Sequence, residues 1–484
     1  MQSFARNALD KALAFVLGLF LLVAVIRGGN TPFAMSVALG LSICVAAVAG
    51  CLIYVSRPIE TRWSSAATSL NVALLLVMVG GALGLVTVAA AQWLTLPGRD
   101  AYAGVVDLLA LPDFGFQRLA LSTDPFATKR ALFALVPCLV IAASVPLLSR
   151  RALLQLLGAV AVFAVFEALI GLFQLGFRGA SLFVFDFAGH NRASGTFVNK
   201  NHYATLLAMA LPLLIFRAAG QFSFFTQRHD ATAFSNMCWG AATAFVAAAL
   251  VASLSRAGVL AGGIAALAAF GLCVMQQRKF SKRVLLALAG GLLLAFGLAA
   301  MTGLGQLIKS ATAGGVGEGL FGRTVMNQHT WSGIVEFFPL GAGLGSYAIA
   351  FQRFQTSNLL GFVEYAHNDY LQLLFELGAL GVVVLVLLLL AAVLSGLTLW
   401  RSRVRGERFS PALACYLGAF AFAIHAWFDF PAHIPAIAIL ATLLFTASMN
   451  LALVDVGRKK PGPAPIAPLD TSQMPGVPER SMFR

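Results

Sequence analysis

The segment His190-Asn-Arg-Ala-Ser-Gly-Thr-Phe-Val-Asn-Lys-Asn-His-Tyr203 gathers two cations, Arg192 and Lys200, and three asparagines, Asn191, Asn199 and Asn201, at the mouth of an apolar run. Packing does not require such polar density. Arginine gives bidentate, charge-assisted hydrogen bonds to phosphate oxygens and lysine adds a point charge, so a diphosphate is a natural ligand. A basic loop anchored to lipid headgroups is the other reading. In Ser253-Leu-Ser-Arg-Ala-Gly258, Arg256 sits in a very short connection between two apolar runs. Arginine deep in a bilayer costs about 2.5–3.5 kcal/mol, so this one either snorkels to the headgroups or faces a phosphate that offsets the cost. Arg323, in Gly322-Arg-Thr, and Arg353 add two further cations, for which a solvated surface is at least as good an explanation.

The second cluster is Tyr365-Ala-His-Asn-Asp-Tyr-Leu-Gln-Leu-Leu-Phe-Glu-Leu-Gly-Ala-Leu-Gly381. A neutral imidazole at His367 is a candidate general base for a hydroxyl. Asn368 and Asp369 are placed to orient its ring or a substrate, and Glu376 lies further down the same run; a purely structural histidine is the alternative. His425, Asp429 and His433 recur every four residues, a spacing suited to metal ligands on one helical face, but Pro431 interrupts that face. With no matching cluster elsewhere, a structural hairpin is the better reading, and no metal or cofactor is expected. Glu167 falls near the middle of an apolar run, where it is either an interior hydrogen-bonding partner or part of a pathway.

These residues are embedded in a chain that is 59% hydrophobic and 11% charged over 484 residues, where a soluble domain carries roughly 25% charged residues. The expected fold class is therefore all-α and polytopic in a membrane. About twelve runs supply the roughly 20 apolar residues that a spanning helix needs: approximately 12–26, 33–55, 66–92, 131–148, 152–175, 203–216, 235–252, 257–275, 284–302, 370–394, 410–429 and 434–454. With the N-terminus inside, the inward segments hold Arg6 and Lys11, Arg57 and Arg62, Arg150 and Arg151, Arg217 and Arg228, the Arg278/Lys279/Lys282/Arg283 group, the Arg401/Arg403/Arg405/Arg408 group and five residues of the tail. That is 21 of the 33 lysines and arginines, the asymmetry that cytoplasmic loops show. The net charge of +14 is explained the same way, with membrane lipids rather than nucleic acid as the partner.

Three outward segments are long enough for chemistry, about 93–130, 176–202 and 303–369, the last lying between the ninth and tenth runs. In it, Trp331, Ile334, Val335 and Phe338, then Tyr347, Phe351 and Phe354, follow helical faces, which predicts two amphipathic helices at the membrane surface and a cap over the membrane domain. Residues 1–454 form the membrane domain, and the proline-rich 455–484 a disordered cytoplasmic tail. The six cysteines, all in or beside apolar runs, read as small hydrophobes. Gly80-x-x-x-Gly84 and Gly258-x-x-x-Gly262 allow close helix contact.

The same motifs resemble the O-antigen ligase, or Wzy-type polymerase, family: Arg192-Ala-Ser-Gly-Thr-Phe-Val-Asn-Lys-Asn-His202, Ser255-Arg-Ala-Gly258, Pro339-Leu-Gly-Ala-Gly-Leu-Gly-Ser346 and Ala366 to Gly381, in that order, over about residues 150–450. His425-Ala-Trp-Phe-Asp-Phe-Pro-Ala-His-Ile-Pro435 is similar to a stretch of the exopolysaccharide branch. The resemblance implies a GT-C-like membrane fold in a bacterial inner membrane, with its site facing the periplasm. It implies a metal-independent, inverting transfer of a glycan from undecaprenyl diphosphate to an acceptor hydroxyl. Arg192 and Arg256 would hold the diphosphate with help from Lys200, and His367 would be the base. Asn199, Asn201, Arg323, Asn368 and Asp369 would be placed to contact substrate.

A flippase of lipid-linked oligosaccharide is the competing class, but transporters place polar sites near the midplane and here they crowd the outer boundary. Polymerase, ligase and protein oligosaccharyltransferase remain open as to acceptor, with the exopolysaccharide-like stretch favouring polymerase. The charge asymmetry predicts both termini inside and 303–369 outside. Topology reporters fused after Gly315 and after Lys460 should read periplasmic and cytoplasmic respectively; a cytoplasmic signal at Gly315 would overturn the arrangement.

Overall fold

A computed structural model describes residues 2–55, 95–97, 118–120, 122–176, 181–182, 185–186, 192–225, 233–276, 315–356, 359, 361–404 and 410–457. Two of the expected runs, 66–92 and 284–302, and the tail 458–484 lie outside them, as do Gly80 and Gly84. The regular structure among the described residues is helical apart from two short antiparallel pairs, Thr95–Pro97 with Arg118–Ala120 and Ser181–Leu182 with Phe185–Asp186.

Helices α1 (Gln2–Leu19), α2 (Leu21–Val25), α3 (Pro32–Val55), α4 (Pro125–Ser144), α5 (Arg150–Gly176), α6 (Lys200–Ala218), α7 (Ala233–Ala252) and α8 (Arg256–Gln276) precede α9 (Gly315–Phe337) and α10 (Tyr347–Ala350). Then come α11 (Asp369–Leu377), α12 (Ala379–Val404), α13 (Ser410–His425) and α14 (Pro435–Gly457). Among the described residues, eight stretches are long and apolar enough to cross a membrane: Phe4–Val25, Pro32–Val55, Pro125–Leu147, Arg150–Leu175, Ala233–Ala252, Arg256–Met275, Ala379–Trp400 and Pro435–Ala452. The apolar α13 is shorter, at 16 residues.

Helix α6 is the axis of the fold. Every residue from His202 to Ala218 is buried, as a helix that is apolar all round must be, and α7, α8 and α13 pack against it. Gly258 and Gly262 let α8 come close: a Cβ at Gly258 would collide with Ala204, and one at Gly262 would meet Leu250 and Ala208. One end of this buried column therefore delivers Lys200, Asn201 and His202 to a fixed place.

Over that end lies a second, smaller core. Met326, Ile334, Tyr347, Phe351 and Phe375 are buried together, with the Tyr347 ring stacked on Phe351 at 4.9 Å and edge-on to Phe375 at 4.9 Å. The first expected amphipathic helix is α9, whose Trp331 and Val335 stay exposed while Ile334 turns inward. The second differs from expectation. It is a four-residue α10 followed by a 3-10 turn, and its Tyr347 and Phe351 are wholly buried, because α9 and α11 cover the face that a membrane surface was expected to cover. The expected tenth span also breaks. Gly378, at φ 55°, ends α11 and α12 restarts, with Ala379 N–H donating to Pro339 O at 2.8 Å, so Gln372 and Glu376 belong to the cap layer. The expected run 410–429 likewise stops at His425, leaving Asp429 in the turn before α14.

Candidate active site

Asn199 caps α6, its Oδ1 accepting the Asn201 N–H at 2.8 Å, and so starts the helix immediately after the cation loop. Two ties bring this end of α6 to the α7–α8 turn. Ser255 Oγ donates to Asn201 Oδ1 at 2.8 Å, and Lys200 Nζ donates to the Leu254 carbonyl at 2.9 Å. A third tie, Ala193 N–H to Ala252 O at 3.0 Å, docks the Arg192 segment on the same turn. Arg256 begins α8 at that turn, and Arg323 arrives from α9.

The four cations share one field. Lys200 lies in the turn ahead of the 203–216 span. Burial foremost, and then repulsion from Arg192, Arg256 and Arg323, push its ammonium below the usual lysine range. Among the described residues, no carboxylate forms an ion pair with any of the four. Arg353 is different: it pairs with Glu336 at 2.6 Å on the cap surface and stands apart from the cluster.

His367 adopts φ 50°, a left-handed conformation that costs a non-glycine residue roughly 1–2 kcal/mol. Its neighbours are fixed on both sides: Ala366 N–H donates to Gln372 Oε1 at 3.0 Å, and Asp369 N–H donates to Ala426 O at 2.9 Å. Asn368 caps α11 through Tyr370 N–H and Leu371 N–H. The imidazole Nδ1 lies 2.9 Å from Asp429 Oδ1, which also accepts the Phe430 N–H at 3.0 Å. Burial opposes charge on Asp429, but the His367 hydrogen bond and the nearby histidines outweigh it and hold the carboxyl at about 2. An ionised Asp429 makes Nδ1 the donor and leaves the lone pair on Nε2, the tautomer a general base needs.

The second pair, His433 Nδ1 with Asp369 Oδ1 at 2.8 Å, belongs to a buried framework. Gln372 Nε2 lies 3.0 Å from both Glu376 Oε1 and His433 Nε2, while Glu376 Oε2 accepts the Gly345 N–H at 2.7 Å. Because Gln372 Oε1 is occupied by Ala366 N–H, its amide group donates both ways, and His433 Nε2 accepts. The framework links the 339–346 turn, α11 and the 431–433 turn around His367. Asn368 and Asp369, expected near substrate, are both buried with their side chains committed to these internal bonds.

His425, Asp429 and His433 turn to three separate partners, Thr205, His367 and Asp369. Among the described residues, no group of three His, Cys, Asp or Glu side chains is disposed to hold a metal ion. Phe430 joins the two halves of the site: the His202 ring meets it at 4.9 Å and the His367 ring at 4.9 Å. His202 and the base candidate His367 thus flank one aromatic ring, and Lys200 lies two residues before His202 in the chain.

Residues 241–386 match the family model described as O-antigen ligase. This segment, under a third of the chain, is similar to the O-antigen ligase family. It carries Arg256, Arg323 and His367, whereas Arg192, Lys200, Asp429 and His433 lie outside the match. No curated protein matches the chain. Together with the helices able to span a bilayer, this likeness supports a multi-pass bacterial membrane protein with glycosyl transfer of the ligase and polymerase type.

Neither Asp429 as the partner of His367 nor the Asp369–His433–Gln372–Glu376 framework is expected from sequence. The signal that existed was the unexplained polarity of 425–433 in an otherwise apolar region. If Asp429 orients His367, Asp429→Ala should lower kcat at least about tenfold while leaving donor KM within about twofold. Turnover of the purified variant equal to wild type would contradict that role.

Proposed function

We propose that the protein transfers a glycan from undecaprenyl diphosphate to an acceptor hydroxyl at the outer face of the bacterial inner membrane, by a metal-independent, inverting mechanism. The observation that carries this is the convergence of Arg192, Lys200, Arg256 and Arg323 from three separate segments on one place, beside the His367–Asp429 pair. Four like charges gathered on one half-buried to exposed face, with no carboxylate paired to them among the described residues, are suited to receive an anion. A diphosphate fits because two arginines can each grip its oxygens bidentately.

In this mechanism the acceptor hydroxyl approaches His367 Nε2, which takes its proton as the oxygen attacks the anomeric carbon. The bond from that carbon to the diphosphate oxygen breaks, and the negative charge gathering on the leaving group is met by the arginines, set in place before the reaction. Asp429 stabilises the imidazolium. Arg323, carried on α9, brings the cap to the cluster. The O-antigen ligase match over 241–386 supports the reaction class, and the exopolysaccharide-like 425–435 stretch favours a second lipid-linked glycan as acceptor, making the protein a polymerase.

Complementing a deletion strain with single variants tests this. The deletion should shorten the polymer if the protein is a polymerase, and leave unattached polymer if it is a ligase. Arg192→Ala and Arg256→Ala should each fail to restore product at wild-type protein levels, and the Lys substitutions should restore it only partly. Normal product from both alanine variants alongside loss in Lys200→Ala would overturn the diphosphate assignment.

A further inference from the structure

Helix α5 carries two buried polar side chains, Glu167 and Gln174, both within the bundle. They stand seven residues apart, two turns along one face, and both close on the same target, the backbone of residues 194–196. Gln174 Oε1 accepts the Ser194 N–H at 2.9 Å and the Gly195 N–H at 3.0 Å, while its Nε2 donates to the Gly195 carbonyl at 2.7 Å. Glu167 Oε2 accepts the Thr196 N–H at 3.0 Å. Three consecutive amides of a loop without regular structure are thus held by two side chains.

The Thr196 side chain adds a second contact: its hydroxyl, with one proton to give, lies 2.8 Å from Glu167 Oε1 and 3.1 Å from the Ala24 carbonyl, so both carboxyl oxygens of Glu167 meet Thr196. The loop is shaped to receive the carboxyl: Gly195 sits at φ 57°, and a Cβ there would collide with Glu167 Oε2 and the Tyr203 ring. Tyr203 OH donates in turn to the Glu167 carbonyl at 3.2 Å.

We propose that Glu167 and Gln174 are positioning residues that clamp residues 194–196 so that Arg192 and Lys200, on either side of the clamp, face the same anion. The proposal rests on the diphosphate reading of the cation cluster. It makes the deep carboxyl part of the phosphate site's framework rather than part of a transport path.

The test uses the purified full chain in lipid nanodiscs, with amide hydrogen exchange at residues 194–196 and binding of undecaprenyl diphosphate as separate readouts. Glu167→Ala and Gln174→Ala should each speed exchange at these amides at least tenfold and weaken binding about tenfold or more. Glu167→Gln should match wild type in both, since an amide offers a donor and an acceptor at the same two positions. Unchanged exchange in the alanine variants, or Glu167→Gln as impaired as Glu167→Ala, would overturn the clamp. Faster exchange with unchanged binding would also overturn it, whereas undiminished binding by both Arg192→Ala and Arg256→Ala would overturn the diphosphate assignment beneath it. Should Glu167→Ala not fold, Gln174→Ala and Glu167→Gln decide the matter.

Discussion

Mutual repulsion among Lys200, Arg192, Arg256 and Arg323 is the constraint around which the described structure is arranged. Like charges repel, and Arg192, Arg256 and Arg323 each oppose the charge on the Lys200 ammonium. Nothing in the cluster's own chemistry would hold it together. It is held by bonds to uncharged partners: Lys200 Nζ to the Leu254 carbonyl, Ser255 to Asn201, and Ala193 N–H to Ala252 O. They are anchored because α6 is buried from His202 to Ala218 and α8 packs on it through Gly258 and Gly262. The large apolar core thus performs a local task, setting positive charge in place before any ligand arrives, which is what electrostatic stabilisation of a leaving group requires.

The cap solves a different problem. His367 needs a strained backbone and one defined ring orientation, and a single hydrogen bond would supply neither. Ala366 and Asp369 are tied through their amides, Asn368 caps the following helix, and Asp429 fixes the ring. The aromatic core under α9 and the Glu376 contact to Gly345 hold the whole layer against the 339–346 turn. Strain at a functional residue persists only where its surroundings over-determine it, and here four independent contacts do so.

Much of this was readable in the residues. In an apolar chain each polar group is expensive, so Arg192, Lys200, Arg256 and His367 stood out by cost alone, and the spans by apolar length. The structure brings the first three together with Arg323. It separates Arg323 from Arg353, which no local pattern distinguishes, because the decisive fact is a Glu336 partner on the neighbouring helix. Asp429 escaped because its partner lies 62 residues away. The break at Gly378 escaped because apolar character continues across it. The buried fate of Tyr347 and Phe351 escaped because an apolar helical face looks the same whether lipid or protein covers it.

The central claim is that a neutral imidazole and fixed cations, without a metal, perform the transfer. The direct measurement is turnover by purified protein with lipid-linked donor and acceptor, in wild type and in His367→Ala, with and without EDTA. Wild-type turnover should survive chelation. Folded His367→Ala should fall by about 10²–10⁴-fold, the usual contribution of a general base, with His367→Gln little better. Normal turnover by His367→Ala, or wild-type activity lost on chelation and restored by added metal, would contradict the account.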